Sequence, residues 1–147
     1  LSAFYFHWSG LLDIDKPVKD ILSEWYDCLC YPVNEYWGGH YTFQKKAKKS
    51  KSLSSSKKTA ETIILNSLVN YLFYLGEKND MHQLKDKALD ILGILQPENN
   101  SIIENWKMRG VSVKNAADSQ GLIELKNQFC TFKKCLKCKI GHSILNQ

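Results

Sequence analysis

The chain has 147 residues, of which 44% are hydrophobic and 24% are charged, and these proportions exclude a disordered chain. No stretch approaches the roughly eighteen consecutive apolar residues of a membrane span, so we predict no membrane partner. The net charge is +5, but Arg109 is the single arginine among twenty basic residues. Because arginine is the better side chain for bidentate contacts with phosphate and guanine, the charge alone is a weak indication of nucleic-acid binding.

The sequence begins at Leu1, without an initiator Met and without a basic segment ahead of an apolar run. This pattern is not that of a signal peptide, and we expect a segment cut from within a longer protein. The five cysteines are an odd number, and three of them cluster, whereas a secreted disulfide framework typically has an even set spread along the chain. We therefore predict reduced thiols and a cytoplasmic location.

The first elements are predicted to be helices. Residues 4–12 are rich in aromatic and apolar side chains and indicate a buried helix. Asp15 can cap a second helix that has Pro17 in its first turn and ends before Pro32. Cys28 and Cys30 fall in its last turn, two residues apart, and point to different sides of a helix. We interpret them as separate thiols rather than as a ligand pair.

Residues 35–43 are dense in aromatic side chains and are interrupted by Gly38 and Gly39. Such a stretch is a poor helix and indicates a packed loop or a short extended arm. His40 within it could be catalytic or a metal ligand. Because no acid or nucleophile is adjacent, we favour a histidine that packs among the aromatic rings and is hydrogen-bonded to the backbone.

Residues 45–58 contain seven Lys and five Ser with no acidic residue. They bury too little apolar surface to offset their chain entropy, so we predict a mobile basic loop. One interpretation is contact with the phosphate backbone of a nucleic acid, independent of sequence and sensitive to salt. The other is a solvated linker. The candidate nucleic-acid-binding residues are Lys45, Lys46, Lys48, Lys49, Lys51, Lys57 and Lys58.

Four further helices follow from capping residues and helical apolar spacing. Their predicted N-terminal residues are Thr59, Asp80, Ser101 and Asn115, and the first of them ends at Gly76. No two-residue hairpin signal and no sustained alternation of apolar and polar residues occurs, so strands are at most minor. The predicted fold is all-α, a compact array of about five to seven helices arranged as helix hairpins. We expect residues 1–147 to form a single helical domain with one long Lys/Ser-rich loop at 45–58.

The last predicted helix leads into a cluster of three cysteines and a histidine. Cys130, Cys135, Cys138 and His142 have the spacing C-x4-C-x2-C-x3-H. Thiolate and imidazole are ligands that zinc prefers in tetrahedral sites, and a C-x2-C pair reaches one ion across a tight turn. The neighbouring lysines favour thiolates through their positive charge.

An iron–sulfur cluster is an alternative to zinc, with its fourth ligand from His142, a distant cysteine or another part of the protein. Two further interpretations stay open. In the first, the three thiols are reduced and pack as small apolar groups; in the second, two of them form a disulfide.

Several motifs occur along the chain: Tyr36-Trp37-x-x-His40-Tyr41-Thr42-Phe43, Ile64-Leu65-Asn66, Asn100-Ser101-Ile102-Ile103 ahead of Trp106-Lys107, Ser119-Gln120, and the cysteine pattern that ends at Gly141. Together they resemble the uncharacterised bacterial domain-of-unknown-function family 2851. Gly38 and Gly39 replace a more polar pair, and His142 lies beyond the three-cysteine pattern. The resemblance implies the C-terminal part of a longer chain, with its N-terminal half as partner. In that family, the N-terminal half has carboxylates and histidines in an order similar to that of restriction-endonuclease-like nucleases, which is an analogy about residues outside this sequence.

No glycine-rich phosphate loop, nucleophile elbow, HExxH motif or paired carboxylate occurs in the sequence, so we identify no catalytic constellation. We predict a non-catalytic helical module of a larger, nucleic-acid-processing protein, with the cysteine cluster as a structural metal clamp. One alternative is a thiol-based enzyme, redox or acyl-transferring, in which His142 serves as the base. Another is a purely structural scaffold that positions partners. The sequence does not indicate an oligomeric state.

Overall fold

The computed structural model describes residues 13, 15–30, 35–47 and 56–145, without the side chains of Tyr41 and Ile144. These residues are mainly helical, with one short hairpin, which confirms the predicted all-α fold. The predicted helix at 4–12 and the side chains of Lys48, Lys49 and Lys51 lie outside this part. Within it, no helix is both long and apolar enough to cross a membrane. The chain divides into two compact units, residues 1–91 and 92–147.

The first unit contains helices and one two-stranded antiparallel hairpin. Its elements are α1 (Val18–Leu29), α2 (Glu35–Gly38), β1 (His40–Thr42), β2 (Lys45–Lys46), α3 (Lys57–Ile63), a π-helical segment (Ile64–Val69), α4 (Asn70–Lys78) and most of α5 (His82–Ile94). Helix α1 begins directly after Pro17 and has no side-chain cap, so the predicted capping role of Asp15 is wrong.

The core of the first unit is built from apolar side chains at helical spacing. Its buried members are Ile21, Leu22, Trp25, Ala60, Ile64, Leu65, Leu68, Val69, Leu72, Leu84, Ala88 and Ile91. Burying one large apolar side chain contributes about 1.5–3 kcal/mol, whereas an exposed ion pair contributes about 0–1 kcal/mol. Core packing therefore outweighs surface pairs such as Lys16–Glu24 in holding these helices together.

Lys87 is a buried cation inside this apolar unit. Its Nζ donates hydrogen bonds to the backbone carbonyl oxygens of Asp13 and Lys16, the latter at 3.0 Å. Burial lowers the pKa of Lys87 below its usual range, because removal from water disfavours the charged form. The two carbonyl contacts offset part of this cost and attach α5 to the segment that precedes α1.

The start of α3 differs from the sequence prediction by a few residues. Ser56, rather than Thr59, caps the helix, and its Oγ accepts a hydrogen bond from the Thr59 N–H at 3.2 Å. Lys57 and Lys58 therefore belong to the first turn of a helix, and Lys45 and Lys46 form strand β2. Both ends of the predicted basic loop are thus regular structure, and residues 48–55 lie outside the described part.

Gly76 does not end its helix as predicted. It is buried inside α4, where a Cβ atom would lie 2.8 Å from Cγ of Lys85 and 3.0 Å from the carbonyl oxygen of Met81. Glycine therefore serves the close approach of α4 to the start of α5. The prediction failed because a glycine required for packing looks the same in sequence as a glycine at a helix end.

The second unit contains the end of α5, then α6 (Ser101–Met108), α7 (Ala116–Leu125), a π-helical segment (Lys126–Cys130), a 3₁₀ turn (Cys135–Lys137) and α8 (Lys139–Leu145). Asn115 caps α7 as predicted, accepting from the Asp118 N–H at 2.9 Å. Asn100 caps α6, one residue before the predicted Ser101. The buried Ser119 Oγ donates to the Ala116 carbonyl and accepts from the Glu98 N–H, so it is fully paired.

Ionisation of Tyr26 makes the stability of the first unit depend on pH in the alkaline range. Burial, reinforced by the Glu61 carboxylate, raises the pKa of Tyr26 from 10.0 to about 12. The Tyr26 hydroxyl donates to Glu61 Oε1 at 3.2 Å, and this bond needs the protonated phenol. Because the folded pKa lies above the unfolded one, the stability contributed is complete below pH 10 and is lost as the pH rises through 12.

We expect the free energy of unfolding of Tyr26→Phe to fall less between pH 9 and pH 11 than that of the unsubstituted chain, since phenylalanine has no proton to lose. Urea unfolding at several pH values measures this difference. Tyr74→Phe, at an exposed tyrosine, is the matched control and should keep the original slope. Identical pH slopes for the Tyr26 variant and the unsubstituted chain would contradict the assignment.

Candidate functional site

Tyr36 organises the aromatic motif in the first unit. Its carbonyl oxygen accepts hydrogen bonds from the Gly39 N–H at 3.2 Å and from His40 Nδ1 at 2.9 Å. Because a carbonyl oxygen only accepts, His40 Nδ1 carries the proton in this contact. The imidazole stacks on the Tyr36 ring with centroids 4.1 Å apart and planes 1° apart. His40 is therefore packed on an aromatic ring and bonded to the backbone, as the sequence analysis favoured.

The hairpin that follows is closed by the same tyrosine. Thr42 pairs with Lys45 across a turn formed by Phe43 and Gln44, and Gln44 adopts the left-handed conformation with φ of 71°. The Gln44 N–H donates to the Tyr36 hydroxyl at 3.2 Å. The predicted loop or extended arm is thus a one-turn helix followed by a tight hairpin.

Four rings form a continuous surface, which we call the aromatic platform: Tyr36, Trp37, His40 and Phe43. The Trp37 and Phe43 rings meet edge to face with centroids 5.0 Å apart, and Tyr36 and Trp37 do so at 5.1 Å. Phe43 lies at the tip of the hairpin and is 77% exposed, and Tyr36 and Trp37 are more than one-third exposed. Aromatic rings packed together and yet open to solvent are characteristic of binding surfaces.

Basic side chains border the aromatic platform in sequence. Lys45 and Lys46 follow the hairpin turn, and both are exposed. Within residues 13, 15–30, 35–47 and 56–145, neither lysine forms an ion pair with an acidic side chain. On the far side of residues 48–55, Lys58 is exposed and the Lys57 ammonium lies 5.1 Å from the centroid of the Tyr26 ring.

The three clustered cysteines line one apolar cavity in the second unit, of about 220 Å³. Its walls are Trp106, Leu125, Phe129, Cys130, Cys135, Cys138, Ile140 and Gly141. His142 is not among these residues and instead lines a separate surface pocket, which it shares with Cys138. The structure therefore brings the three cysteines to a common cavity and does not bring the histidine to it.

A tight turn positions two of these thiols. The Cys138 N–H donates to the Cys135 carbonyl at 3.1 Å, which closes the 3₁₀ turn, and the His142 N–H donates to the Cys138 carbonyl at 2.8 Å at the start of α8. Gly141 lies directly on this turn, since a Cβ atom there would be 2.5 Å from the Cys135 carbonyl oxygen. Only a residue without a side chain permits this approach.

The donor types fit zinc or an iron–sulfur cluster, but the side chains are not arranged around an ion. Among the described residues, no group of three or more His, Cys, Asp or Glu side chains is placed to hold a metal. All five cysteines are free thiols, so no disulfide joins any two of them. The metal site at Cys130, Cys135, Cys138 and His142 stays a prediction.

A second cavity, of about 350 Å³, adjoins the cysteine cavity and did not emerge from the sequence. It is lined by Ile102, Asn105, Trp106, Arg109, Lys126 and Cys130. Trp106 and Cys130 belong to both cavities. The Arg109 guanidinium donates to the Asn105 carbonyl at 2.8 Å. The sequence holds one signal that points to this cavity, because Arg109 is the single arginine of the chain.

The Tyr36 hydroxyl is expected to stabilise the hairpin by about 1 kcal/mol, the usual net value of one intramolecular hydrogen bond. Tyr36→Phe keeps the aromatic ring and removes the hydroxyl that accepts from the Gln44 N–H. We expect faster amide exchange at Gln44 with unchanged exchange in α5, measured by hydrogen exchange. Tyr74→Phe is the matched control and should leave Gln44 unaffected. Unchanged Gln44 exchange in Tyr36→Phe would show that the hairpin does not depend on this bond.

Comparison with known proteins identifies a family and no closer relative. The family described as "Protein of unknown function (DUF2851)" matches residues 2–101, about two thirds of the chain. The match includes the aromatic platform and ends ahead of the cysteine cluster. Neither curated proteins nor solved structures give a significant match. On the extent of the family match, the chain belongs to the family of proteins of unknown function DUF2851.

Proposed function

We propose that this chain is a nucleic-acid-contacting module of a longer protein and that it binds through the hairpin at residues 40–46. The observation that carries the proposal is the exposed pair Lys45 and Lys46 beside the aromatic platform, with no acidic partner for either lysine in the described residues. Two neighbouring lysines that no acidic side chain pairs with in the described part of the chain offer their charge to an external polyanion.

The wider distribution of charge supports the same partner. The basic tract that starts at Lys45 and Lys46 continues through residues 48–58 without an acidic residue. Phosphate contacts of lysine are independent of sequence and arise largely from the release of counterions from the nucleic acid. A tract of lysine without arginine is suited to this backbone contact and poorly suited to reading bases. Any catalytic activity then resides in other parts of the parent protein, with this module supplying affinity.

We expect Lys45→Gln/Lys46→Gln to weaken binding to a random 30-nucleotide single strand and to reduce the slope of log K against log salt by about 1.4, since each single-strand phosphate contact contributes about 0.7. Fluorescence anisotropy between 25 and 200 mM salt measures both effects. Lys19→Gln, at an exposed lysine of α1, is the matched control. Absence of binding by the unsubstituted chain at low salt would refute the proposal.

A structural metal clamp at the cysteine cluster is a second candidate function. The observation that favours it is the placement of Cys130, Cys135 and Cys138 on one cavity, with the latter two joined by a tight turn against Gly141. When bound, zinc would cross-link the π-helical segment at Lys126–Cys130 to the 3₁₀ turn. His142 would have to leave its own pocket to act as a fourth ligand.

Elemental analysis of freshly purified protein, with an absorption spectrum, tests the clamp. We expect one zinc ion per chain, or visible charge-transfer bands if an iron–sulfur cluster is present, and a lower melting temperature after chelation. Cys135→Ser/Cys138→Ser should lose the metal, whereas the control Cys28→Ser/Cys30→Ser should keep it. His142→Asn distinguishes a three-thiolate site from a four-ligand site. Metal-free protein that takes up no added zinc or cobalt would exclude the clamp.

A further inference from the structure

We infer that the aromatic platform selects single-stranded over duplex nucleic acid by stacking an unpaired base on the Phe43 ring; this inference rests on the proposed function. Three features of the hairpin carry it: the exposure of the Phe43 ring, the hydrogen bonds and ring contacts of the residues beneath it, and the position of the lysines that follow.

The Phe43 ring is available for stacking. It lies at the tip of a two-residue turn and is 77% exposed, and its ring contacts among the described residues are the edge-to-face packing with Trp37 and a tilted contact with Tyr36 at 6.3 Å. Every base offers a π face, so stacking tolerates any sequence. In a duplex the faces of a base are covered by its stacked neighbours, and only an unstacked base can reach such a ring. An exposed ring of this kind therefore discriminates by strandedness rather than by sequence.

Hydrogen bonds and ring contacts within the chain support the aromatic platform. Tyr36 holds the hairpin from both ends, with its carbonyl oxygen bonded to Gly39 and His40 and its hydroxyl bonded to Gln44. The Ala47 N–H donates to the Gly39 carbonyl at 2.8 Å and closes the base of the hairpin. Because the rings already pack against one another, stacking a base costs little further side-chain entropy. Preorganisation of this kind raises affinity for a flexible strand.

The charges favour a nucleic acid over an apolar protein partner. Lys45 and Lys46 follow Phe43 by two and three residues, and Thr42 pairs directly with Lys45 across the turn. A base on the Phe43 ring would therefore place its flanking phosphates close to the strand that carries these lysines, whose side chains alternate between its two faces. Alternation of rings and cations is the arrangement with which proteins bind single strands. An apolar protein surface would have to desolvate the same lysines without compensation.

Fluorescence anisotropy with the full chain at fixed low salt tests the inference. The probes are a labelled 12-nucleotide thymidine strand, a duplex of the same length, and a 12-nucleotide strand whose central sites are abasic. We expect tightest binding to the intact strand, and weaker binding to the abasic strand, which retains its phosphates but offers no central base.

Substitutions at Phe43 then localise the contact. Phe43→Ala should weaken binding of the intact strand by about 5- to 150-fold, the usual effect of losing one stacked base. Phe43→Leu keeps the apolar volume and should also lose affinity, whereas Phe43→Trp should retain it. Tyr74→Ala, at an exposed ring near Lys78, is the matched control and should change affinity less than twofold. Circular dichroism checks that each variant is folded.

The outcomes separate the inference from the proposed function. Equal affinity for the intact and abasic strands, or for strand and duplex, or retention of affinity in Phe43→Ala, would overturn base stacking while leaving the salt-dependent contact of Lys45 and Lys46 intact. A loss of affinity in Phe132→Ala instead of Phe43→Ala would place the contact on another exposed ring and would equally overturn it. Failure to bind any of the three probes at low salt would remove both.

Discussion

The hydrogen bonds of Tyr36 are the constraint on which the candidate binding surface depends. A hairpin with two- and three-residue strands cannot be stable by its own backbone bonds, because isolated hairpins are marginal in water even when they are longer. Here one residue supplies both a backbone carbonyl that accepts from two donors and a side-chain hydroxyl that accepts from the turn. The ring between these two groups carries His40 on its face. The same residue therefore folds the motif and forms part of its exposed surface.

The sequence predicts the helices well because their signals are local. Apolar side chains at helical spacing and a side-chain acceptor at Asn115 depend only on residues within one or two turns. The contact of Lys87 with Asp13 and Lys16 depends instead on groups more than seventy positions away, and no local pattern records it. The prediction of a helix end at Gly76 failed for the same reason, since the role of this glycine is set by a neighbouring helix.

The candidate sites show the same limit. The environment of His40 could be predicted because the rings that surround it are its neighbours in sequence, and because no acidic residue is adjacent to it. For the cysteine cluster, spacing identified the three residues that share a cavity, but not Trp106, which completes it from another helix. Spacing also grouped His142 with the cysteines, although the first turn of α8 carries it to a different pocket. A sequence interval gives the reach of a side chain and leaves its direction undetermined.

The π-helical segment at Ile64–Val69 has a consequence for the long helical stretch that runs from Lys57 to Lys78. The buried residues Ala60, Ile64, Leu68 and Leu72 repeat every four positions, so this stripe drifts around an α-helix, which has about 3.6 residues per turn. A π turn contains more residues than an α turn, and it therefore rotates the stripe in the opposite sense. Ile64, Leu65, Leu68 and Val69 are all buried, and Ala60 before them and Leu72 after them face the same core. The widened turn therefore keeps the buried side chains of both α-helical ends of this stretch on one core.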